Sequence, residues 1–180
     1  MCADFPMCAG THYVEVTLVE RGEGSPYVGV VEPHNFDPTR RIDYEPSDDE
    51  HDSDDETIEQ TLQKTVWRSE SARMIFVGRG TVAHDGEHSE GGPMADQWGD
   101  ELEEDDTVGL LLDFRTSTLA VYKNGERKGV AVHWTEPLSQ LCWAVDLYGD
   151  KVRIEAVAAP VVSAERLAAD LRALRSEEAA

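Results

Sequence analysis

Alternation between apolar and polar positions is the main pattern of this chain, and it predicts β-strands. In residues 12–19 (HYVEVTLV), valine and leucine side chains alternate with Tyr13, Glu15 and Thr17, as expected for a strand with one buried face. Residues 107–114 (TVGLLLDF) are nearly all apolar and too few for a typical helix, which favours a buried strand. Further strand-like segments occupy residues 27–31, 65–67, 74–77, 118–122, 129–134, 142–147 and 151–157.

Two local signals add a turn and a helix. Asn124-Gly125 stands between apolar runs and predicts a hairpin, because both residues tolerate the positive φ angles of a type I′ turn. Near the end, Ser163 can cap a helix in which three leucines, the first at residue 167, share one face. Many short strands followed by one helix predict an all-β sandwich with a C-terminal α-helix.

The formal charge of −21 is concentrated in two segments of the 180-residue chain. Residues 43–59 and 85–106 each contain ten acids and no Lys or Arg, so the other residues hold 37 − 20 = 17 acids against 16 bases. This distribution gives no basic footprint for nucleic acid or for an anionic membrane surface. It leaves a basic protein partner open.

The cellular context is predicted from three features. The beginning MCADFPMCAG lacks the basic and apolar parts of a signal peptide, and no stretch has the length of a transmembrane helix. The chain has three cysteines, namely Cys2, Cys8 and Cys142. An odd number of cysteines does not suggest a disulfide framework. We expect a reduced intracellular chain, cytoplasmic or nuclear, that is monomeric.

The acidic run at residues 47–56 (SDDEHDSDDE) is the first candidate for chemistry. Counted from Asp48 it resembles a calcium loop, but Ser53 stands where the sharp turn requires glycine. A solvated loop without a dedicated metal site is the expectation. Ser47 and Ser53 each begin Ser-Asp-Asp-Glu, which makes them candidates for phosphorylation that would strengthen contact with a basic partner.

Other constellations give little support for catalysis or a cofactor. Residues 78–83 spell G-x-G-x-x-A, but no helix that could hold a pyrophosphate follows, so we expect a turn between strands. His84, Asp85 and His88 lie in a glycine-rich polar stretch, where surface histidines are expected rather than a metal site. Cys2, Cys8 and His12 match no four-ligand zinc set, and the chain offers no candidate nucleophile.

The order of the segments resembles that of the SPRY (B30.2-like) domain. That family shows an aromatic-Glu-Val strand, a Val-Gly-Val strand, a GD-x-VG-x-LLD strand, an Asn-Gly hairpin and a closing pair of strands. The matching pieces here are Tyr13-Val14-Glu15-Val16, Val28-Gly29-Val30, Gly109-Leu110-Leu111-Leu112-Asp113, Asn124-Gly125 and Gly129-Val130-Ala131. Two departures are the ELEEDDT inserted before Val108-Gly109 and Cys142-Trp143 in place of the common Tyr-Pro.

The resemblance implies a bent sandwich of two antiparallel sheets, a SPRY/concanavalin-like jelly roll, over residues 11–157. Acidic insertions would lie at 43–59 and 85–106, with a flexible N-terminus at 1–10 and the helix at 162–178. In relatives that bind short peptides, loops and one strand line a shallow pocket at one rim. The corresponding partner-binding candidates here are Pro33, His34, Asn35, Phe36, Phe76 and Tyr148.

Core positions are the alternative for Phe36 and Phe76. Trp98 is a secondary binding candidate, because a tryptophan isolated among acids and glycines must either pack or bind something. Trp67, Trp134 and Trp143 stand in or beside strand-like segments and are expected in the core.

We therefore expect a non-catalytic protein–protein interaction module of SPRY type, an adaptor that recognises a partner protein or short peptide through loops at one rim. The alternatives are a lectin-like carbohydrate-binding sandwich and a structural domain in a larger assembly. A metal-dependent hydrolase built on His84, Asp85 and His88 is a further alternative.

Overall fold

Two five-stranded antiparallel sheets are formed by the residues that the computed structural model describes, namely 6–21, 26–33, 71–84, 87–88, 98–99, 101–147, 153–156 and 162–177. The strands are β1 (Thr11–Glu20), β2 (Tyr27–Val31), β3 (Ala72–Phe76), β4 (Thr81–His84), β5 (Glu87–His88), β6 (Thr107–Asp113), β7 (Thr118–Lys123), β8 (Glu126–His133), β9 (Cys142–Asp146) and β10 (Arg153–Ala156). The first sheet has the order β10-β1-β6-β7-β8 and the second the order β5-β4-β3-β2-β9. The predicted strand at 65–67 lies outside the described residues.

The main core lies between the two sheets and is built by the predicted alternation. Val16 and Leu18 of β1 point into it, whereas Tyr13 and Glu15 lie on the opposite face. The second sheet contributes the side chains that point to its inner face. The buried core residues from the two sheets include Val108, Leu110, Leu112, Leu119, Val121, Val28, Val30 and Ile75.

The outer face of the first sheet is covered by helix α1 (Ala164–Glu177). Leu174 of the helix is buried with Leu111, Ala120 and Tyr122 of the sheet. Strand β6 is therefore enclosed on both faces, which explains why its sequence is apolar almost throughout. Ser163 accepts a hydrogen bond from the backbone N–H of Arg166 at 3.2 Å, so the predicted cap is confirmed.

Two polar links connect helix and sheet. Arg175 donates to both carboxylate oxygens of buried Asp113, with Nε–Oδ2 and Nη2–Oδ1 distances of 3.0 and 3.2 Å. The hydroxyl of Tyr122 donates to Asp170 at 2.8 Å. Burial, together with this hydrogen bond to a carboxylate, raises the pKa of Tyr122 well above its usual value.

The Asn-Gly hairpin is confirmed by its backbone. Asn124 and Gly125 have φ angles of 50° and 77°, and they connect β7 to β8 as the two central residues of the turn. The side-chain oxygen of Asn124 also accepts a hydrogen bond from the backbone N–H of Thr107 at 2.8 Å. The turn thereby holds the beginning of β6.

Two glycines of the family pattern are required by close approach. A Cβ atom on Gly29 would overlap the carbonyl oxygen of Arg73 on the neighbouring strand β3. A Cβ atom on Gly109 would overlap the hydroxyl of Tyr13, whose ring packs edge-on against Tyr122 with centroids 5.8 Å apart. Glycine at these positions follows from the packing of the sheets. The observed architecture confirms the predicted all-β sandwich with a C-terminal helix.

Candidate functional site

The outer face of the second sheet holds the described part of the predicted binding surface. Residues that pair directly in antiparallel strands point to the same face, so Phe76, Tyr27 and Asp146 form one row across β3, β2 and β9. The rings of Tyr27 and Phe76 have centroids 5.0 Å apart. Phe76 thus packs on the outer face, against a cluster that contains Tyr27, Val31 and Met74, and not between the sheets.

An exposed apolar side chain follows this row. Leu147, directly after β9, is 47% exposed, more than any other large hydrophobic residue of the described ranges. The structure therefore brings Phe76 and Leu147 to the same end of the second sheet. Tyr148 is the next residue in sequence but lies outside the described residues.

Pro33 is at the opposite end of the second sheet. It follows Val31, which pairs with Ala72, whereas Tyr27 at the other end of β2 pairs with Phe76. At about 3.3 Å per residue, Tyr27 and Val31 are already about 13 Å apart along the strand. Pro33 and Phe76 therefore do not line one rim, and the prediction of one pocket containing both is corrected. His34, Asn35 and Phe36 lie outside the described residues.

The prediction that Trp98 belongs to the binding surface is corrected by its position in the structure. Its side chain is 1% exposed and belongs to the core between the sheets. The indole N–H donates to the carbonyl oxygen of Val77 at 3.0 Å, and the ring lies so close to Gly80 that a Cβ there would overlap it. Trp98 packs rather than binds, which explains an aromatic residue in an acidic, glycine-rich segment.

A groove of about 770 Å³ lies at the end of the first sheet where β1 and β7 begin. This is also the end at which Pro33 is located, because Met7, just before β1, pairs with Leu141, and Val31 pairs with Cys142. The groove is lined by residues 8–10, by the turn 114–117 between β6 and β7, and by residues 133–138 after β8. No sequence signal pointed to it, since its aromatic residues also pack on the core.

Asp113 fixes the turn 114–117 of this groove. Besides Arg175, its carboxylate accepts hydrogen bonds from the Thr116 hydroxyl at 3.2 Å and the Arg115 backbone N–H at 3.3 Å. Burial alone would raise the pKa of Asp113, but the hydrogen bonds from Arg175, the Arg115 amide and Thr11 outweigh it and lower the pKa. Asp113 is thus ionised, and both of its carboxylate oxygens accept hydrogen bonds within the protein.

The remaining sequence candidates give no built site in the described residues. Ser47, Ser53 and the acidic run around them lie outside these residues, as do the side chains of His84 and His88. Cys8 is exposed, while His12 contacts the carbonyl oxygen of Ala9 at 2.8 Å through Nε2. Among the described residues no three His, Cys, Asp or Glu side chains could together hold a metal ion. The described ranges also contain no helix that is long and apolar enough to cross a membrane.

Residues 78–83 form the expected turn and strand. A tight turn over residues 77–80 connects β3 to β4, with Gly80 at a φ of 64°. The backbone N–H of Gly80 donates to the carbonyl oxygen of Phe76 at 2.8 Å. Because a strand follows this turn, its glycines close a hairpin and do not cradle a phosphate.

Comparison with known proteins identifies the architecture. No protein-family model matches the sequence, and no curated protein matches it either. Among solved structures, the SPRY domain of human HERC1 is similar with 17% sequence identity and a TM-score of 0.56, over 86% of this chain and 79% of that chain. The PSpry domain of TRIM65 is similar with 15% identity and a TM-score of 0.55, over 88% and 70% of the two chains. The sandwich described above, the motif glycines and these likenesses together show that the chain has a SPRY-like fold.

Proposed function

We propose that this protein is a non-catalytic interaction module that recognises a partner protein or a short peptide, as an adaptor does. The observation that carries the proposal is exposed Leu147, which directly follows β9 at the end of the second sheet where Phe76 is partly exposed. Aromatic and aliphatic side chains gathered on a rigid sheet can bury a partner's apolar anchor. Loops at the ends of such a scaffold can change without disturbing the core.

The SPRY-like fold supports this function by analogy, because a fold by itself does not specify an activity. The candidate contact residues are Leu147, Phe76 and Tyr148. Asn35 and its neighbours at 33–36 are retained as candidates for a separate contact, since Pro33 lies at the other end of the sheet. The acidic segment 43–59 follows that loop in sequence and would favour basic partners over acidic ones.

The test is affinity purification with mass spectrometry, using wild type and a Leu147→Ala/Tyr148→Ala double variant. We expect reproducible partners of the wild type to be lost from the double variant while its melting temperature is kept. The matched control is Arg172→Ala, which removes an exposed side chain of α1 remote from the second sheet. Partners retained by the double variant would reject the assigned surface, and a parallel Asn35→Ala variant tests the loop after β2.

A further inference from the structure

The groove beside the first sheet is held in shape by hydrogen bonds between its three walls. The backbone N–H of Phe114 donates to the carbonyl oxygen of Gly10 at 3.0 Å. The backbone N–H of Trp134 donates to the carbonyl oxygen of Ser117 at 2.9 Å. Asp113 holds the central wall, which is the turn 114–117, through the hydrogen bonds described above. A groove formed in the unbound protein loses less conformational entropy when a ligand enters it.

The lining combines an apolar floor with polar edges. Phe114, Trp134 and Leu138 are partly exposed in the groove and also pack on the core. Pro137, Ser117 and Thr135 also line the groove. The volume falls in the ordinary range for ligand sites, about 300–1,000 Å³. An aromatic-lined groove at the surface suits an extended peptide.

The groove contains an exposed arginine. Arg115 lines it, is exposed, and forms no ion pair with a carboxylate of the described residues. Five other cations of the described ranges each pair with an acid, namely Arg21, Lys128, Arg153, Arg166 and Arg175. Arg79 and Arg172 are also exposed without such a pair among the described residues, but they do not line the groove. Asp113, the nearest carboxylate in sequence, binds the guanidinium of Arg175 and offers Arg115 only a backbone contact.

We propose that this groove binds an extended peptide with an acidic side chain, which pairs with Arg115 while neighbouring apolar residues lie on Phe114 and Trp134. Arginine and carboxylate can form two parallel hydrogen bonds, so the contact fixes orientation as well as charge. His133 lines the same groove and can add a donor, whereas Glu136 repels an acid near its own position. The two opposite charges therefore set the direction of the bound peptide.

This site is separate from the surface assigned above. The groove lies at the end of the first sheet where β1 begins, while Leu147 and Phe76 lie at the far end of the second sheet. Its ligand class also differs, because the acidic segments favour basic partners elsewhere on the protein. The two proposals can therefore fail independently.

The experiment is a selection of random seven-residue peptides displayed on phage against the full chain. We expect enrichment of Asp or Glu at one position, flanked by proline, aliphatic or aromatic residues. Against Arg115→Gln the acidic preference should disappear, and the wild-type peptides should bind at least about tenfold more weakly, the loss expected for one charge-assisted contact. Arg115→Glu should instead enrich Lys or Arg at that position.

The matched control is Arg79→Gln, which removes an exposed arginine from the turn between β3 and β4 at the other end of the molecule. It should leave the selected peptides and their affinities unchanged. Amide NMR of the wild type with the best peptide should shift Gly10, Phe114 and Trp134. Absence of any acidic enrichment, equal affinity for Arg115→Gln, or shifts confined to the Tyr27–Phe76 row would each overturn the proposal.

Discussion

At the scale of single residues, Asp113 connects more parts of the molecule than any sequence pattern suggested. Its buried carboxylate joins the end of β6 to Thr11 at the beginning of β1, to the groove turn and to Arg175 of the helix. Five hydrogen bonds occupy its two oxygens. A buried carboxylate that is so fully paired stabilises the fold, while losing either partner leaves the other charge uncompensated.

Replacing Asp113 by Asn tests this role. The variant keeps the size of the side chain but removes the charge that pairs with Arg175. We therefore expect the free energy of unfolding to decrease by about 2–3 kcal/mol at pH 7. Urea denaturation measures the change. The control is Arg153→Met, which breaks the exposed pair with Glu155 and should cost at most about 1 kcal/mol. Equal losses in the two variants would show that Asp113 is no special anchor.

The pH dependence of this contribution has a definite sign. Because the pKa of Asp113 is lowered in the folded protein, as described above, its ionised form stabilises the fold at neutral and mildly acidic pH. This stabilisation is lost as the pH falls through the folded pKa. The difference in unfolding free energy between wild type and Asp113→Asn should be constant near neutral pH and shrink below about pH 4. A difference that increased on acidification would contradict the assignment.

At the scale of elements, helix α1 supplies the second cover that the first sheet requires. Tyr13, Leu111 and Ala120 lie in one row of its outer face, and Leu174 packs over this region. Without the helix these side chains would face water, at a cost of about 25 cal/mol for each Å² of apolar surface. The helix is therefore expected to fold together with the sandwich.

Substitution of Leu174 measures that coupling. Leu174→Ala removes a side chain that is buried against the sheet and should destabilise the whole domain by about 2–4 kcal/mol. Leu167→Ala is the matched control, since Leu167 is only partly buried at the other end of the helix, and its effect should be smaller. A single cooperative unfolding transition with a lowered urea midpoint is expected. A separate early transition in the helix signal alone would show that α1 is not part of the cooperative unit.

At the scale of the whole molecule, the net negative charge is concentrated in two segments of the chain. Residues 43–59 contribute ten of the 21 excess negative charges, so their field acts on any charged molecule within about one Debye length. That field affects association rates and the choice of partner more than it affects the sandwich.

Binding of an octalysine peptide tests this electrostatic contribution. Replacing the ten acids of 43–59 by Asn and Gln changes the formal charge from −21 to −21 + 10 = −11, and should weaken octalysine binding and reduce its salt dependence in fluorescence anisotropy. A variant with the same residues in permuted order is the control and should behave like wild type. Weak binding by the permuted variant would show instead that a specific sequence in the segment makes the contact.

The elements that the sequence predicted well are those encoded by neighbouring residues. The alternation in residues 12–19, the Asn124-Gly125 turn and the Ser163 cap act over two to four positions, so their outcome depends little on the remaining chain. The SPRY-like fold followed from the order of such elements and is confirmed by the two sheets and the structural likenesses. The domain boundaries and the phosphorylation of Ser47 and Ser53 remain predictions.

The arrangement of side chains from distant segments was decided only by the tertiary structure. Pairing of β2 with β3 sets Tyr27 beside Phe76 and sends Pro33 to the opposite end, while packing against Val77 and Gly80 buries Trp98. The groove at Arg115 needs three segments that are remote in sequence. Sequence periodicity determines which way a side chain points from its own strand. Which strand ends meet depends on long-range pairing and on burial of the shared core, and no local pattern encodes that choice.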